Sequence, residues 1–324
     1  MKAKWAIGVD FGGTNIRVGL VSASGRVPAV ERFPATGLAG PSSFVKALAR
    51  AIDVLTQSAG VRPRDLRGVC VGVPGPVDAE RGIVRLLVNV PGWREVPLRR
   101  LLERALRCRC EVDNDVNVVA LGEWRFGAGR LARQLVCLTL GTGVGGGLVL
   151  DGALYRGSDG SAGEIGHIAV NPLGPRCGCG SRGCLEAYVG TAAILRMGRR
   201  ALRRGAEPLG SLVQRAHGRL TPALISAASR RGDADARRIW ADIGRWLGIG
   251  LASIVNLLNP DRIVIGGGVA GAWPSFSPTL MRTLRARALT VSAQAVQVVS
   301  ARLGDRAGIM GAAVLLWDKS RSTG

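Results

Sequence analysis

Residues 5–33 read WAIGVDFGGTNIRVGLVSASGRVPAVERF. Two apolar runs are broken by Gly-Gly-Thr, and a Ser-Gly turn leads into a third run, the pattern of a meander of antiparallel strands. The next stretch, 41–60 (PSSFVKALARAIDVLTQSAG), opens on proline and serines, places apolar residues at helical spacing and stops at glycine. It predicts a capped amphipathic helix. Residues 66–78 (LRGVCVGVPGPVD) then read as a buried strand running into a Gly-Pro turn. Strand, helix and strand in this order predict an α/β fold.

Further along, VPLRRLLERAL (96–106) predicts a short helix, RCRCEVDNDVN (107–117) a strand end, and 116–127 a helix started by the polar residues 113–115. The second half repeats the opening theme. Residues 135–155 (LVCLTLGTGVGGGLVLDGALY) give a strand, a tight Gly-Thr-Gly turn and a return strand. Long helical material follows over 191–258, DRIVIGGGVAG (261–271) reads as a strand delivering three glycines, and RLGDRAGIMGAAVLLW (302–317) as an apolar helix with small residues on one face. At 324 residues the chain exceeds the ~250–300 at which single cores stop growing, so two lobes of related design are expected.

Composition narrows the classes. Apolar residues make up 47% and charged ones 21%, a globular mixture and not a disordered one. The net charge is +21, and arginine far outnumbers lysine. The arginines are scattered, mostly at helical spacing, with no basic tail and few interleaved aromatics, which argues for a solvated basic surface against a specific nucleic-acid face. The N-terminus lacks an apolar run of signal-peptide length, and the uncharged stretch 135–150 is too short and glycine-rich for a membrane span of ~20 residues. Seven cysteines, three of them within eight positions, favour a thiolate metal site in a reducing compartment over a disulfide framework. A cytoplasmic protein is expected.

The candidate chemistry sits in turns. Asp10 ends the first strand, and Gly12, Gly13 and Thr14 form its turn. Glycines let backbone N–H groups approach phosphate oxygens, threonine adds a hydroxyl, and aspartate can hold Mg²⁺ directly or through water. Gly141, Thr142 and Gly143 supply a second such turn, and Gly266, Gly267 and Gly268 a third cluster at a strand end, where α/β proteins bind ligands. None is a Walker loop, and the first two turns lead into strands, which argues against a dinucleotide fingerprint. Nucleotide binding is the reading the three share.

In DNDVN, Asp113 and Asp115 both stand at a strand-to-helix junction. A carboxylate there could accept a hydroxyl proton in phosphoryl transfer, or simply cap the helix. Spacing alone leaves that choice open. His167, Cys177, Cys179 and Cys184 offer one imidazole and three thiolates, a closed tetrahedral set for structural Zn²⁺. Glu164 and Glu186 flank this knot and could grip the vicinal hydroxyls of a sugar.

Taken together, DFGGTNIRVGL, VGVPGPVD, NVPGW, DNDVNVVALGEW, LGTGVGGGLVLDGALYRG, GEIGH, CGCGSRGCLEAY and NPDRIVIGGGV resemble the ROK family of sugar kinases and related repressors. The resemblance runs in order along nearly the whole chain. It implies a two-lobed actin-like ATPase (ribonuclease H-like) fold with a ligand cleft between the lobes. The small lobe would hold 1–117 plus about 304–324, and the large lobe 118–303. The implied reaction is ATP- and Mg²⁺-dependent phosphorylation of a hexose, foremost glucose at its 6-hydroxyl. Kinases for fructose, mannose or N-acetylmannosamine, or a sugar-responsive repressor without its DNA-binding domain, are the alternatives. With the first strand starting by Trp5, no helix-turn-helix is expected before it.

Residue by residue, the resemblance makes Asp115 the catalytic base. It makes Asn114, Asp115, Glu164, His167 and Glu186 sugar contacts, with Asn89 of NVPGW as a further one. Asp10, Gly12, Gly13 and Thr14 match the first phosphate turn, Gly141, Thr142 and Gly143 the second, and Gly266, Gly267 and Gly268 the adenosine side. His167 would join the zinc knot to the substrate. Val116 stands where related kinases often carry alanine. A homo-oligomer, dimer or tetramer, is the implied assembly.

Overall fold

The computed structural model describes residues 4–87, 90 and 92–318. The opening meander forms as read: β1 (Trp5–Phe11), β2 (Asn15–Ser22) and β3 (Ala29–Pro34) pair antiparallel, with Gly12, Gly13 and Thr14 turning the first pair. Helix α1 (Pro41–Ser58) follows, buried through Phe44, Leu48 and Leu55. It starts at Pro41, as the sequence predicts. Gly40 (φ 136°) holds the N-cap position, and Ser43 Oγ donates back to the Gly40 carbonyl at 2.7 Å.

β4 (Leu66–Val73) lies parallel to β1. A small antiparallel sheet then intervenes, β5 (Val77–Asp78), β6 (Ile83–Leu86) and β7 (Arg94–Val96), before α2 (Leu98–Leu106), β8 (Cys110–Asn114) and α3 (Asp115–Phe126). The first sheet has the order β3-β2-β1-β4-β8, with β8 parallel to β4.

β9 (Leu135–Leu140), β10 (Val144–Leu150) and β11 (Ala153–Tyr155) open the second half. The helical stretch is divided into α4 (Glu186–Val189), α5 (Thr191–Arg203), α6 (Glu207–Arg215), α7 (Pro222–Arg230) and α8 (Ala234–Leu258). Gly205, Gly218 and Gly232 punctuate it at φ 82°, 77° and 95°, the left-handed conformation in which helices commonly end. β12 (Arg262–Gly266), α9 (Trp273–Arg287), α10 (Thr290–Ala295), β13 (Gln297–Ser300) and α11 (Ala307–Asp318) complete the chain. The second sheet runs β11-β10-β9-β12-β13. Among the described residues α8 alone is long and apolar enough to cross a membrane by length and composition, and half of that stretch is buried within the protein.

The chain divides into two compact units, Met1–Ala132 with Gly147–Gly163 and Arg302–Gly324, and Arg133–Gly146 with Glu164–Ala301. In the first, α11 packs on β1 and α3 through the small residues the sequence placed on one face. A Cβ at Gly311 would sit 1.6 Å from the Val118 carbonyl oxygen, and one at Gly8 would sit 1.8 Å from that of Ile309. Only glycine allows backbones this close. Fully buried Glu123 of α3 fixes the approach to α11. Its carboxylate accepts the amides of Ala128 (2.8 Å), Arg302 (3.0 Å) and Leu303 (2.8 Å). Glu123→Ala would strand those amides, and equilibrium denaturation should show a loss of about 3 kcal/mol or more.

Candidate functional site

Parallel pairing levels the strand ends of the first unit. Asp10 of β1 registers with Gly72 of β4, which registers with Asp113 of β8, and Asn114 follows at the next position. At ~4.8 Å between strands, the residues at these ends share one edge of the sheet, the edge at which such sheets bind ligands. Gly13 and Thr14 are exposed there, and nothing lies within 4 Å of a Cβ placed on Gly13. The turn is open for a phosphate to approach its backbone.

Asp10 is mostly buried and accepts a 3.1 Å bond from Arg17 Nη1 across the β1–β2 pair. Burial pushes its carboxyl above the usual range, and the Arg17 guanidinium works in the opposite direction.

The two aspartates of DNDVN have separate environments. Asp113 is 2% exposed. Its Oδ1 accepts from the Asn114 amide (2.8 Å) and Asn117 Nδ2 (2.9 Å), and its Oδ2 accepts from Arg156 Nε (2.9 Å) and Nη2 (2.6 Å). Every lone-pair direction is taken. Asp115, the first residue of α3, is half-buried, and its Oδ1 accepts the Val116 amide at 2.9 Å. The N-cap is Asn114, whose Oδ1 takes the amides of Val116 (2.8 Å) and Asn117 (3.2 Å) while Nδ2 donates to the Gly75 carbonyl (3.1 Å). One Nδ2 hydrogen is then left for a further acceptor. Asn89 lies outside the described residues.

In the second unit, β9 and β12 run parallel with Thr139 opposite Gly266. The glycine clusters that follow these strands therefore adjoin. Gly267 has φ 84°, and a Cβ there would lie 2.4 Å from the Leu140 carbonyl oxygen. In the other turn the Gly141 amide donates to the Gly143 carbonyl (2.9 Å), and Thr191 Oγ1 donates to the Gly141 carbonyl (2.7 Å). Thr142 stands exposed at its tip. Past Gly268 a pocket of about 130 Å³ is lined by Pro222, Ser226, Arg230, Trp240, Val269 and Ala272. Sequence reading gave no sign of it, because its walls come from α7 and α8 as well as the glycine turn.

The knot closes as its spacing suggests. The ligand atoms of His167, Cys177, Cys179 and Cys184 all lie within 4.8 Å of one another. Zn–S bonds of ~2.3 Å and Zn–N bonds of ~2.0–2.1 Å at tetrahedral angles give edges of about 3.8 Å between sulfurs and about 3.6 Å from sulfur to nitrogen. Cys179 and Cys184 Sγ are 3.7 Å apart, and Cys177 Sγ is 3.6 Å from His167 Nδ1. The donor set thus fits a tetrahedral soft cation. The turn is held by Cys177 N–H to the Ser181 carbonyl (2.8 Å) and Gly183 N–H to Pro175 (2.9 Å). Tyr188, stacked on Trp246 of α8 with centroids 3.9 Å apart, accepts from Asn171 Nδ2.

Both glutamates meet the knot. His167 turns Nδ1 to the thiols and Nε2 towards exposed Glu164, 3.8 Å away. Glu186 accepts the Val144 amide through Oε2 (2.9 Å), and its Oε1 lies 3.7 Å from Cys177 Sγ. Its carboxylate therefore bridges the knot to the Gly141–Gly143 turn, a link no motif announces. A Cβ on Gly143 would strike Glu186 Oε2 at 2.4 Å.

The mixed α/β sheets of the two units define a protein of the actin-like ATPase fold. The ROK family model matches residues 6–319, and the chain belongs to the ROK family, as one of its sugar kinases. It is similar to the glucokinase of Halalkalibacterium halodurans, 35% identical over 99% of this chain and 98% of the relative, and to that of Thermotoga maritima, 37% identical over 97% of each. The crystal structure of a ROK family glucokinase from Streptomyces griseus in complex with glucose and AMPPNP is 34% identical, with a TM-score of 0.81 over 96% of this chain and 98% of that one.

The Asp10 shift has a sign. A carboxyl whose folded pKa lies above its unfolded value makes stability fall as pH rises from the unfolded pKa through the folded one. At neutral pH the charged form is therefore a cost. Asp10→Asn should melt at or above the wild-type temperature at pH 7, and a clear fall in Tm would contradict the assignment of burial as the dominant cause.

Proposed function

We propose that this ROK sugar kinase is a cytoplasmic glucokinase that transfers the γ-phosphoryl group of Mg-ATP to the 6-hydroxyl of glucose. The observation that carries the mechanism is the contrast at the β8–α3 junction. Asp113 is buried with both oxygens engaged by donors, and Asp115 stands half-buried at the helix start, where its Oδ1 accepts the Val116 amide. Asp115 takes the hydroxyl proton as the sugar oxygen attacks. Asn114 has one amide hydrogen to offer a neighbouring hydroxyl.

Mg-ATP supplies the phosphoryl group, and phosphoryl transfer leaves the protein mainly positioning and charge stabilisation to perform. Asp10 serves the magnesium ion. Backbone amides at Gly12, Gly13 and Gly143, with the Thr14 and Thr142 hydroxyls, receive the phosphates, while the Gly141 amide closes its own turn onto the Gly143 carbonyl. Gly266, Gly267 and Gly268 carry the adenosine side, and the pocket between Pro222, Ser226, Arg230 and Trp240 accommodates the base.

Glu164, His167 and Glu186 read the sugar's hydroxyls from the knot. Zn²⁺ is the ion His167, Cys177, Cys179 and Cys184 would hold, and with four protein ligands it has a structural part only. The relatives' names favour glucose over fructose, mannose or N-acetylmannosamine. A site built to pair hydroxyls discriminates strongly, because a wrong sugar leaves polar groups unpaired.

Coupled measurement of ADP formation across hexoses should give glucose the highest kcat/KM. A preference for another sugar would overturn the glucose assignment, and no turnover on any hexose would overturn the kinase reading. Metal analysis of purified protein should find about one zinc per chain. Chelation should lower Tm, and fully stable, zinc-free protein would remove the metal from the account.

A further inference from the structure

We propose that Arg156 is a positioning residue for phosphoryl transfer, holding the junction that carries Asp115 in place and keeping it free of excess charge. The proposal rests on the kinase reading with Asp115 as the base. Arg156 follows β11, at the end of the stretch LGTGVGGGLVLDGALYRG, and carries none of the roles assigned above. Its partner is the buried Asp113 carboxylate, which needs a counter-charge at that depth.

Arg156 Nε and Nη2 both donate to Asp113 Oδ2, at 2.9 and 2.6 Å. That leaves Oδ1 for the Asn114 amide and Asn117 Nδ2. Asn117 in turn donates its amide to Asn114 Oδ1. Asp113, Asn114 and Asn117 therefore form a closed set of bonds around the peptide from which Asp115 projects. Without the arginine, Oδ2 loses both donors and the carboxylate is free to turn.

The arginine's own position is fixed. Its carbonyl accepts the Ala162 amide at 3.0 Å, closing the loop 157–161. In that loop Gly160, at φ 91°, lies so close to β5 that a Cβ would come within 2.8 Å of the Val77 carbonyl oxygen. Asp78, Glu80, Arg81, Arg85 and Asp159 line the same pocket of about 350 Å³ as Arg156, and all are exposed or half-buried. Arg85 is paired with Asp78 (2.9 Å) and Glu95 (3.0 Å). Asp113 is the buried charge that Arg156 answers.

Two consequences follow for catalysis. Misplacing the base lowers kcat, because small errors in a reacting group's position are amplified in rate. Separately, a charge left unpaired beside Asp115 moves the acid limb of kcat/KM, in opposite directions for the two partners. Arg156→Gln leaves an extra carboxylate and shifts the limb upward, whereas Asp113→Asn leaves an extra guanidinium and shifts it downward. ATP's own titration is common to all variants and cancels in the comparison.

The test measures hexose-dependent ADP formation against pH for wild type, Arg156→Gln, Arg156→Lys, Asp113→Asn, the Arg156→Gln/Asp113→Asn double variant and Asp115→Asn, with Tm recorded for each. The Gln variant should lose on the order of tenfold or more in kcat with little change in sugar KM. The limbs of the two single variants should move apart, each by roughly one pH unit, and the double variant should return towards wild type. Arg156→Lys retains the charge without the fork, so its limb should stay near wild type while kcat falls, which keeps the proposal testable should the Gln variant not fold. If Asp115→Asn abolishes turnover but the limbs stay put or move together, Arg156 is merely structural and this proposal fails. Turnover retained by Asp115→Asn overturns the base assignment and the proposal with it.

Discussion

Hydrogen bonding between parallel strands sets which residues of this protein can act together. The register of β1, β4 and β8 brings Asp10, Gly72 and Asp113 level, and the register of β9 and β12 does the same for Thr139 and Gly266. Residues more than a hundred positions apart in sequence thereby reach a common strand edge. A slip of one residue would turn Asp10 to the opposite face. The apolar residues that forbid such a slip, Ile7, Val9, Val69 and Val71, are buried at 1% exposure or less. The core thus determines the chemistry through register, without touching a ligand.

On that frame the two units use different means to hold polar groups still. In the first, buried carboxylates anchor backbone and helix ends: Glu123 gathers amides before α11, and Asp113 ties β8 to α3. In the second, four metal-type ligands and a glycine-bearing turn hold the knot, and Glu186 joins it to the strand after Gly143. Ionised side chains can organise backbone only where each receives its full set of donors. Both Asp113 and Glu123 do.

Much of this was legible in the sequence because the signals are local. Apolar runs and the Gly-Gly-Thr break gave the meander, and the Cys-Gly-Cys spacing with His167 gave a ligand set that gathers within 4.8 Å, with a Cys179–Cys184 and a His167–Cys177 edge of tetrahedral length. Other features escaped because they depend on distant partners. Spacing could not choose between Asp113 and Asp115, since the difference between them lies in Arg156, 43 residues from Asp113. The nucleotide-side pocket needed α7 and α8 beside Gly268, and the β5–β6–β7 sheet is built from strands too short to show a period.

The central claim, that Asp115 acts on the proton and not on sugar binding, is tested most directly by comparing Asp115→Asn with wild type in two measurements on the same protein. Calorimetric titration should give a glucose Kd within a few-fold of wild type. Single-turnover phosphoryl transfer should fall by about 10²–10⁴, the range for loss of a general base. Transfer that persists at near-normal rate, or a defect accounted for entirely by lost glucose binding, would contradict the account.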